Sequence, residues 1–368
     1  MQVIRLTTVK QLKKFVNMPD KIYKGDKFFV PFMRGDLLKT LKQLVLKEGS
    51  YTALAVEQDG EYIARVLCTV APSKQLKLKN CGYFSHFECI DDRACADMLL
   101  SEMCKILKER GATYVEGTYF PYDQDNRRGI LVQGFEYEPM ILTSYNPPYY
   151  GELLEDFGFK KDFDTVAYHL DYDRFDMERV DPLVNKILSR YDLFVAPADF
   201  KELEREMDDV HEILEQATTD IIFQEAPSRE EIGRIIGNWK SFLWEDLIHI
   251  CRRKADNKPV GFTMAIPNFY TVFRKMKGKT NPVALIKALH YKKRIKSVRV
   301  MMQYVIPEYQ GRGVNFALYH AFYLAAKRRG VDYMEGGTIM ENNEISRRNV
   351  EKASGKLNKI FRIYGKEL

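Results

Sequence analysis

The sequence predicts an α/β (α+β) protein of two tandem domains, each with a mixed, mostly antiparallel sheet flanked by helices. A length of 368 residues favours two domains over one, because each half can bury a core of its own. The two halves also show nearly the same order of strands and helices, which indicates an internal repeat. Identical residues recur at a constant offset of 219: Lys108, Arg110, Gly111, Tyr114, Glu116 and Gly117 match Lys327, Arg329, Gly330, Tyr333, Glu335 and Gly336.

The first domain is predicted over residues 1–172. Asp59-Gly60, between two β-type runs, is a strong hairpin signal, and apolar residues at helical spacing from Ala96 to Leu107 predict a helix with one buried face. The predicted elements are strand Val3–Thr7, a helix through Phe15, a helix near Asp36–Leu46, strands Tyr51–Glu57, Tyr62–Val70 and Gly82–Cys89, helix Asp92–Arg110, strands Thr113–Phe120 and Met140–Ser144, a turn into Leu153–Phe157, and strand Phe163–Leu170.

The second domain is predicted over residues 190–368, after a linker at 173–189. A basic insertion at 268–299 separates its hairpin from the strand that follows. The predicted elements are a helix around Pro182–Arg190, strand Leu193–Ala196, helices Lys201–Gln216 and Ser228–Leu243, strands Leu247–Arg252 and Val260–Ile266, a strand from Met301, helix Val314–Arg329, strand Tyr333–Gly337, a helix near Ile345–Ala353, and strand Ile360–Tyr364.

The strongest functional signal is a glycine loop between the strand that begins at Met301 and the helix that begins at Val314. The loop reads Gln310-Gly311-Arg312-Gly313. Glycines let a diphosphate approach the backbone, and the first N–H groups of the helix point at it with the positive end of the helix dipole behind them. The junction therefore predicts a phosphate-binding cofactor site. The alternative is a plain turn with Arg312 on a solvated surface.

This junction resembles the acetyl-CoA signature of the GNAT superfamily of N-acyltransferases. The resemblance lies in Val305-Ile306-Pro307 followed by Gln310 to Val314, with Asn315 departing from the family's usual Gly or Ala. The hairpin at Gly261-Phe262 resembles the family's second and third strands, and Glu341 to Ser346 resemble the start of its motif-B helix. The resemblance implies tandem GNAT-like domains that use acetyl-CoA, or another acyl-CoA, and direct attack of an amine on the thioester.

The same resemblance implies a set of site residues. Glu335 is the first candidate for the general base, with a purely structural carboxylate as the alternative. The family often has a tyrosine in its motif-B helix as the general acid, where this chain has Asn349 or Val350. The candidates that remain to protonate the leaving thiolate are Tyr364, a tyrosine from the other half, or solvent. Asn342 matches a family position that contacts CoA, or else caps the following helix. The cofactor-binding residues implied are Tyr304, Val305, Gln310, Gly311, Arg312, Gly313, Val314, Asn315 and Asn342.

The repeat offset places the glycine loop opposite Asp91, Asp92, Arg93 and Ala94 in the first half. This copy has lost both glycines and carries two carboxylates where a diphosphate would lie. In a partly desolvated loop, the repulsion between these carboxylates and a diphosphate at contact distance would cost roughly several kcal/mol. We therefore expect a degenerate first copy that does not bind CoA and that covers the catalytic half or lines the acceptor cleft with Tyr145, Tyr149 and Tyr150.

Composition excludes several other classes of protein. The six cysteines show no paired C-x-x-C spacing and no two of the six histidines stand four residues apart, so neither a metal site nor a disulfide framework is expected. No apolar run approaches the roughly 18 residues of a membrane span, and the amino end lacks the apolar core of a signal peptide. We expect a cytoplasmic protein. Nothing in the sequence identifies the acceptor, the acyl chain length or the oligomeric state.

The net charge of +6 is concentrated in one segment, since residues 274–299 contain ten basic residues and no Asp or Glu. This segment could clamp CoA phosphates, hold an anionic acceptor, contact a lipid surface, or be a solvated insertion. Two further functions stay open. One is a Fem-type aminoacyltransferase, which resembles the chain in having two GNAT-like units, and the other is a nucleic-acid or membrane-surface binding protein that uses the basic segment.

Overall fold

The computed structural model describes residues 1–71, 80–119, 121, 126–171, 174–218 and 227–368. Three predicted boundaries lie outside the described residues: Phe120, the end of one strand, residue 172, the end of the first domain, and residue 173, the start of the linker. The elements of the first half are β1 Gln2–Arg5, α1 Val9–Asn17, α2 Pro19–Ile22, α3 Arg34–Leu41, β2 Tyr51–Gln58, β3 Glu61–Ala71, β4 Cys81–Cys89, α4 Arg93–Glu109, β5 Tyr114–Gly117, β6 Ile130–Gln133, α5 Tyr150–Asp156 and β7 Lys160–Leu170.

The second half alternates helices and strands close to the predicted positions. Its elements are α6 Met177–Arg190, β8 Leu193–Pro197, α7 Leu203–Ala217, α8 Arg229–Trp239, β9 Ile248–Arg253, β10 Pro259–Pro267, α9 Tyr270–Met276, α10 Pro282–Lys292, β11 Ser297–Val305, α11 Val314–Arg328, β12 Tyr333–Met340, α12 Glu344–Lys352 and β13 Lys356–Glu367.

The chain forms two compact units whose bounds differ from the predicted domains 1–172 and 190–368. The first unit consists of Met1–Thr165, Tyr270–Arg294 and Lys359–Leu368, and the second of Val166–Phe269 and Ile295–Asn358. The difference arises because each unit takes its last strand from the other half of the chain. From Lys359 onward β13 pairs with strands of the first unit, and from Val166 onward β7 neighbours β12 of the second.

The first unit has a sheet with strand order β1-β2-β3-β4-β5-β13-β7, and β6 pairs with β13. The pair β4–β5 is parallel, whereas β2–β3, β3–β4 and β5–β13 are antiparallel. Helix α4 packs on this sheet through the predicted apolar face, whose side chains Leu99, Leu100, Met103 and Leu107 have no solvent exposure. Helical spacing of apolar residues thus predicted the core helix of this unit correctly.

The second unit has the strand order β7-β12-β11-β10-β9-β8. The pair β11–β12 is parallel, whereas β8–β9, β9–β10 and β10–β11 are antiparallel. Helices α7, α8 and α11 bury Ile213, Ile232 and Leu318 against Ile250 and Phe262 of the sheet. The predicted fold class, a mixed and mostly antiparallel sheet flanked by helices in each unit, is confirmed.

The predicted strand at Met140–Ser144 is wrong, because this segment forms a turn in which the Thr143 N–H donates to the Met140 carbonyl. The strand of this region is β6, which lies where the sequence predicts no strand. The Asn146 side chain makes the hydrogen bonds that a neighbouring strand would make with Leu131 of β6. Its oxygen accepts the Leu131 N–H at 2.7 Å, and its amide donates to the Leu131 carbonyl at 3.1 Å. An apolar run can therefore be buried without pairing as a strand.

Most of the predicted linker at 173–189 is helix α6. The helix begins at Met177 because the Asp176 carboxylate caps it, accepting the Arg179 N–H at 3.1 Å. Pro182 had been taken as the start of a helix, but it lies inside α6. The basic insertion, predicted as part of the second domain, contributes α9 and α10 to the first unit.

Candidate functional site

The glycine loop joins β11 to α11 in the second unit, as the sequence predicts. After β11 the chain makes a short helical turn over Pro307–Tyr309 and then enters the loop. Gly311 has φ +70° and Gly313 has φ +86°, which is the left-handed region that glycine adopts without strain. Gly313 is the N-cap residue of α11, so no side chain covers the start of this helix.

The backbone N–H groups from Gly311 to Asn315 have no hydrogen-bond partner among the described residues. The first N–H donors beyond them, those of Phe316 and Ala317, donate to the Gly313 carbonyl at 3.0 and 3.2 Å. Consecutive N–H groups at the start of a 15-residue helix attract a phosphate through hydrogen bonding and through the helix dipole. The loop therefore has the chemistry of a diphosphate site.

Two glutamines hold this loop in its conformation. The Gln310 side chain donates to the Val305 carbonyl at 2.9 Å. Gln303, on β11, donates to the Asn315 carbonyl at 3.0 Å and to its side-chain oxygen at 3.3 Å. Gln310 and Asn315, both predicted to bind the cofactor, thus also fix the ends of the loop to β11.

The loop is bordered by α6, an element that the sequence interpretation did not connect with the site. The Arg312 guanidinium lies 5.3 Å from the ring centroids of Tyr191 and Tyr309, which keeps the cation beside the N–H groups. A Cβ atom added to Gly313 would meet Ile187 of α6 at 2.7 Å. Only glycine satisfies both the φ angle and the space at position 313.

Strands β11 and β12 separate next to the loop. Their parallel pairing runs from Ser297 with Tyr333 to Val300 with Gly336 and is absent beyond that point in the described residues of both strands. Strand β11 continues to pair with β10 as far as Val305, with a bulge at Met301. The β11 edge that includes Tyr304 and Val305 therefore faces an opening between two parallel strands.

Glu335, the candidate base, directly precedes Gly336, which is the last residue of β12 that pairs with β11. Its side chain has no solvent exposure, and its Oε2 atom accepts hydrogen bonds from the Asn358 amide at 3.0 Å and from the Tyr333 hydroxyl at 3.3 Å. Arg299, which is also buried, stands opposite Glu335 in the strand register. The carboxylate therefore lies in a buried polar cluster at the paired end of β11 and β12.

His169 belongs to the same cluster, and sequence reasoning missed it. Its ring stacks on that of Tyr333 with centroids 4.8 Å apart and is half-buried. Burial lowers the pKa of His169 below its ordinary value, although Asp171 and Glu335 oppose that shift. The imidazole is therefore neutral at pH 7. No sequence signal marked it, because β7 comes from the other half of the chain.

Tyr364, the candidate acid, lies in the core of the first unit. Its side chain has no solvent exposure, and its hydroxyl donates to the Glu155 carboxylate at 2.9 Å. Burial and Glu155 raise the pKa of the Tyr364 phenol well above its ordinary value. Asn342 is exposed in the turn before α12, and the cap of that helix is Asn343, which accepts the Ser346 N–H at 3.0 Å. The capping role suggested for Asn342 is therefore wrong.

The first unit carries the counterpart of the glycine loop in a different form. Asp92 is the N-cap residue of α4, and its carboxylate accepts the Cys95 N–H at 2.9 Å. A carboxylate of the chain itself thus occupies the helix start, where a bound phosphate would lie in the second unit. That the first copy does not bind CoA through this loop stays a prediction.

In the first unit, pairing of β4 with β5 is recorded as far as Phe84 with Gly117, and a cavity lies nearby. Glu88 lines it and accepts hydrogen bonds from Tyr150 at 2.8 Å and from Tyr23 at 3.0 Å. Burial raises the pKa of Glu88 above its ordinary value, although Arg65 opposes the shift. Of the three tyrosines assigned to an acceptor cleft, Tyr145 and Tyr150 line this cavity, whereas the Tyr149 hydroxyl donates to the Cys89 carbonyl.

Two other features are absent from the described ranges. No group of three or more His, Cys, Asp and Glu side chains is arranged to hold a metal ion there. None of the helices described is long and apolar enough to cross a membrane.

Solved structures resemble the chain over its whole length. The tandem GNAT protein from the clavulanic acid biosynthesis pathway superposes with a TM-score of 0.53 at 12% identity, covering 100% of this chain and 98% of that one. The protein has the tandem GNAT fold. A GCN5-related glucosamine N-acetyltransferase region in a fungal multi-domain GH3 β-N-acetylglucosaminidase gives a TM-score of 0.59 at 11% identity, covering 99% of this chain and 38% of that longer chain. The resemblance to the GNAT superfamily is thus confirmed for the fold.

Two curated proteins are similar to this GNAT-fold chain over nearly their full lengths. Protein YghO of Escherichia coli (strain K12) is 22% identical over 372 residues, which span 97% of this chain and 93% of that protein. A bacterial ceramide synthase of Caulobacter vibrioides (strain NA1000 / CB15N) is 24% identical over 379 residues, which span 100% of this chain and 98% of that protein. No protein-family model matches the sequence.

Proposed function

We propose that the protein is an acyl-CoA-dependent N-acyltransferase in which an amine attacks the thioester directly. The observation that carries this proposal is the uncovered N–H row from Gly311 to Asn315, which lies beside the opening between β11 and β12. A Fem-type reaction with aminoacyl-tRNA has no need of an intact CoA loop. The retained loop therefore favours a CoA thioester as the acyl donor.

We expect the reacting groups of a bound thioester to lie at this opening, beside the backbone of β11. With the diphosphate on the loop, the pantetheine would lie along the edge that includes Tyr304 and Val305, where backbone N–H groups can stabilise the oxyanion. The amine nitrogen forms a bond to the thioester carbon and the carbon–sulfur bond breaks. One proton leaves the amine, and one proton is taken up by the CoA thiolate.

Glu335 is our proposed acceptor of the amine proton. It is the one acidic residue in the sequences of β11 and β12, and it lies next to the point where they separate. Its counterpart Glu116 in the first unit is also buried, and burial together with Asp162 raises the pKa of Glu116 to about 8. We assign protonation of the thiolate to solvent, because the Tyr364 hydroxyl is held by Glu155 in the core of the first unit.

The donor that we propose is a long-chain acyl-CoA and the acceptor a lipid amine. Met301 and Met302 on β11, and Ile339 and Met340 on β12, lie on the separated parts of the two strands and are half-buried. Methionine adapts its shape to flexible apolar ligands, which suits an alkyl chain. The similarity to a bacterial ceramide synthase supports the same class of acceptor.

A thermal-shift series of CoA thioesters tests this proposal. We expect the melting temperature to rise with acyl chain length from acetyl-CoA to palmitoyl-CoA, because a longer chain buries more apolar surface. A ligand at a hundred times its Kd adds about 2.7 kcal/mol of stability, or roughly 3–4 °C for a chain of 368 residues. A mixture of palmitate and free CoA is the control for any detergent effect of the palmitoyl group on the protein. An equal shift with acetyl-CoA contradicts the long-chain donor, and no shift with any thioester contradicts the function.

A further inference from the structure

Helix α10 forms a stable projection of the first unit. It begins at Pro282, and the Asn281 side chain caps it by accepting the Ala284 N–H at 3.0 Å. Ala284 is buried and Ala288 and Tyr291 are half-buried, so these residues form the face that packs on the protein. The helix therefore packs through Ala284, Ala288 and Tyr291 and leaves its large aliphatic residues exposed.

The outward face of α10 is apolar. Val283, Leu285, Ile286 and Leu289 are exposed by 62%, 50%, 67% and 70%. They are four of the ten large apolar side chains that are exposed in the described part of the chain, although α10 has only 11 residues. Ile286 and Leu289 are one turn apart and lie opposite the packed face. Such a concentration of exposed apolar surface marks an interaction site.

Cationic side chains surround this apolar face. Lys287 lies on α10, and Lys292, Lys293 and Arg294 follow at its end, all of them exposed. Lys275, Lys277 and Lys279 precede the helix and are also exposed. The sequence has no acidic residue between positions 274 and 299, so the segment that carries the face contributes positive charge only. The complementary surface is both apolar and anionic.

We propose that α10 binds the surface of an anionic lipid membrane, with its apolar face among the acyl chains and its lysines at the headgroups. At about 1.5 Å per residue the helix is roughly 16 Å long, which suits an interfacial orientation and is too short for a bilayer core of about 30 Å. The phosphates of a nucleic acid would pair with the cationic side chains, but the aliphatic face would stay exposed to water. Membrane binding by α10 does not depend on the proposed acyl transfer, and it would bring the protein to lipid substrates.

Vesicle flotation of the full chain tests the proposal. We expect at least about tenfold stronger binding to vesicles that contain phosphatidylglycerol than to pure phosphatidylcholine, and weaker binding as salt shortens the Debye length from about 10 Å to about 3 Å. The double variant Ile286→Glu/Leu289→Glu should lose binding by at least about tenfold, because it puts carboxylates on the apolar face. The matched control Ile235→Glu/Ile345→Glu changes two exposed isoleucines on other helices and should bind like the wild type.

Other outcomes would overturn the membrane assignment. Equal flotation of the α10 variant and the wild type would show that another surface meets the lipid. A dimer in lipid-free solution that the α10 variant abolishes, without any vesicle binding by the wild type, would show that a second copy covers the face. Salt-sensitive binding of duplex DNA that survives Ile286→Glu/Leu289→Glu, with no flotation, would assign the cations to nucleic acid. Circular dichroism of each variant checks that it is folded.

Discussion

Gly313→Glu is expected to abolish acyl-CoA binding. Position 313 has φ +86°, and any side chain there meets Ile187, so the substitution distorts the start of α11. The new carboxylate also places a negative charge at the N–H row that would receive the diphosphate. Together these effects should raise the Kd for acyl-CoA by at least about a hundredfold, which corresponds to about 2.7 kcal/mol. Isothermal titration with palmitoyl-CoA measures it.

Gly330→Glu is the matched control for this experiment. Gly330 follows the other end of α11 with φ +64°, and a Cβ atom added there meets no other atom within 4 Å. Both variants pay a similar cost, about 1–2 kcal/mol, for a side chain in the left-handed region. Only Gly313→Glu changes the loop. Tight acyl-CoA binding by a folded Gly313→Glu protein would contradict the assignment of the site.

Glu335→Gln is expected to lower kcat by about a hundredfold to ten-thousandfold, the usual contribution of a general base. The substitution preserves shape, and a glutamine oxygen can still accept the hydrogen bonds from Asn358 and Tyr333. The KM for acyl-CoA should stay unchanged, because the carboxylate does not touch the loop. Steady-state kinetics with a lipid amine, together with a melting curve, separate the two roles of Glu335.

The two possible roles of Glu335 predict different results. If its only role is to compensate the charge of Arg299, Glu335→Gln should lower the melting temperature and leave kcat almost unchanged. His169→Gln removes the neutral imidazole beside Tyr333 without changing the carboxylate. We expect a change in kcat of less than about threefold from that substitution. A loss confined to His169→Gln would make the imidazole the base and contradict our assignment.

The parts of the site that sequence could predict are those determined by local chemistry. Gly311 and Gly313 stand at positions of positive φ in the tight loop before α11, a conformation that favours glycine. The contrast with Asp91 and Asp92 could also be inferred from the repeat. In the structure the Asp92 carboxylate caps α4 by accepting a hydrogen bond from the Cys95 N–H. Such features depend on residues close together in the chain.

The parts that sequence could not predict depend on distant strands. Each unit takes its last strand from the other half, so the contact of His169 with Tyr333 joins residues that no local pattern relates. The same exchange places Tyr364 in the core of the first unit. The Asn146 side chain accepts the Leu131 N–H of β6 in place of a strand, and the apolar run at Met140–Ser144 forms a turn.

The central claim is that one loop of the duplicated pair binds acyl-CoA. Calorimetric titration of the wild-type chain with a CoA thioester tests it most directly, because the stoichiometry counts the sites. We predict one CoA per chain, with binding lost in Gly313→Glu and retained in Asp92→Ala, which removes only the cap of α4. A stoichiometry of two, or a single site that Gly313→Glu leaves intact, would contradict the account.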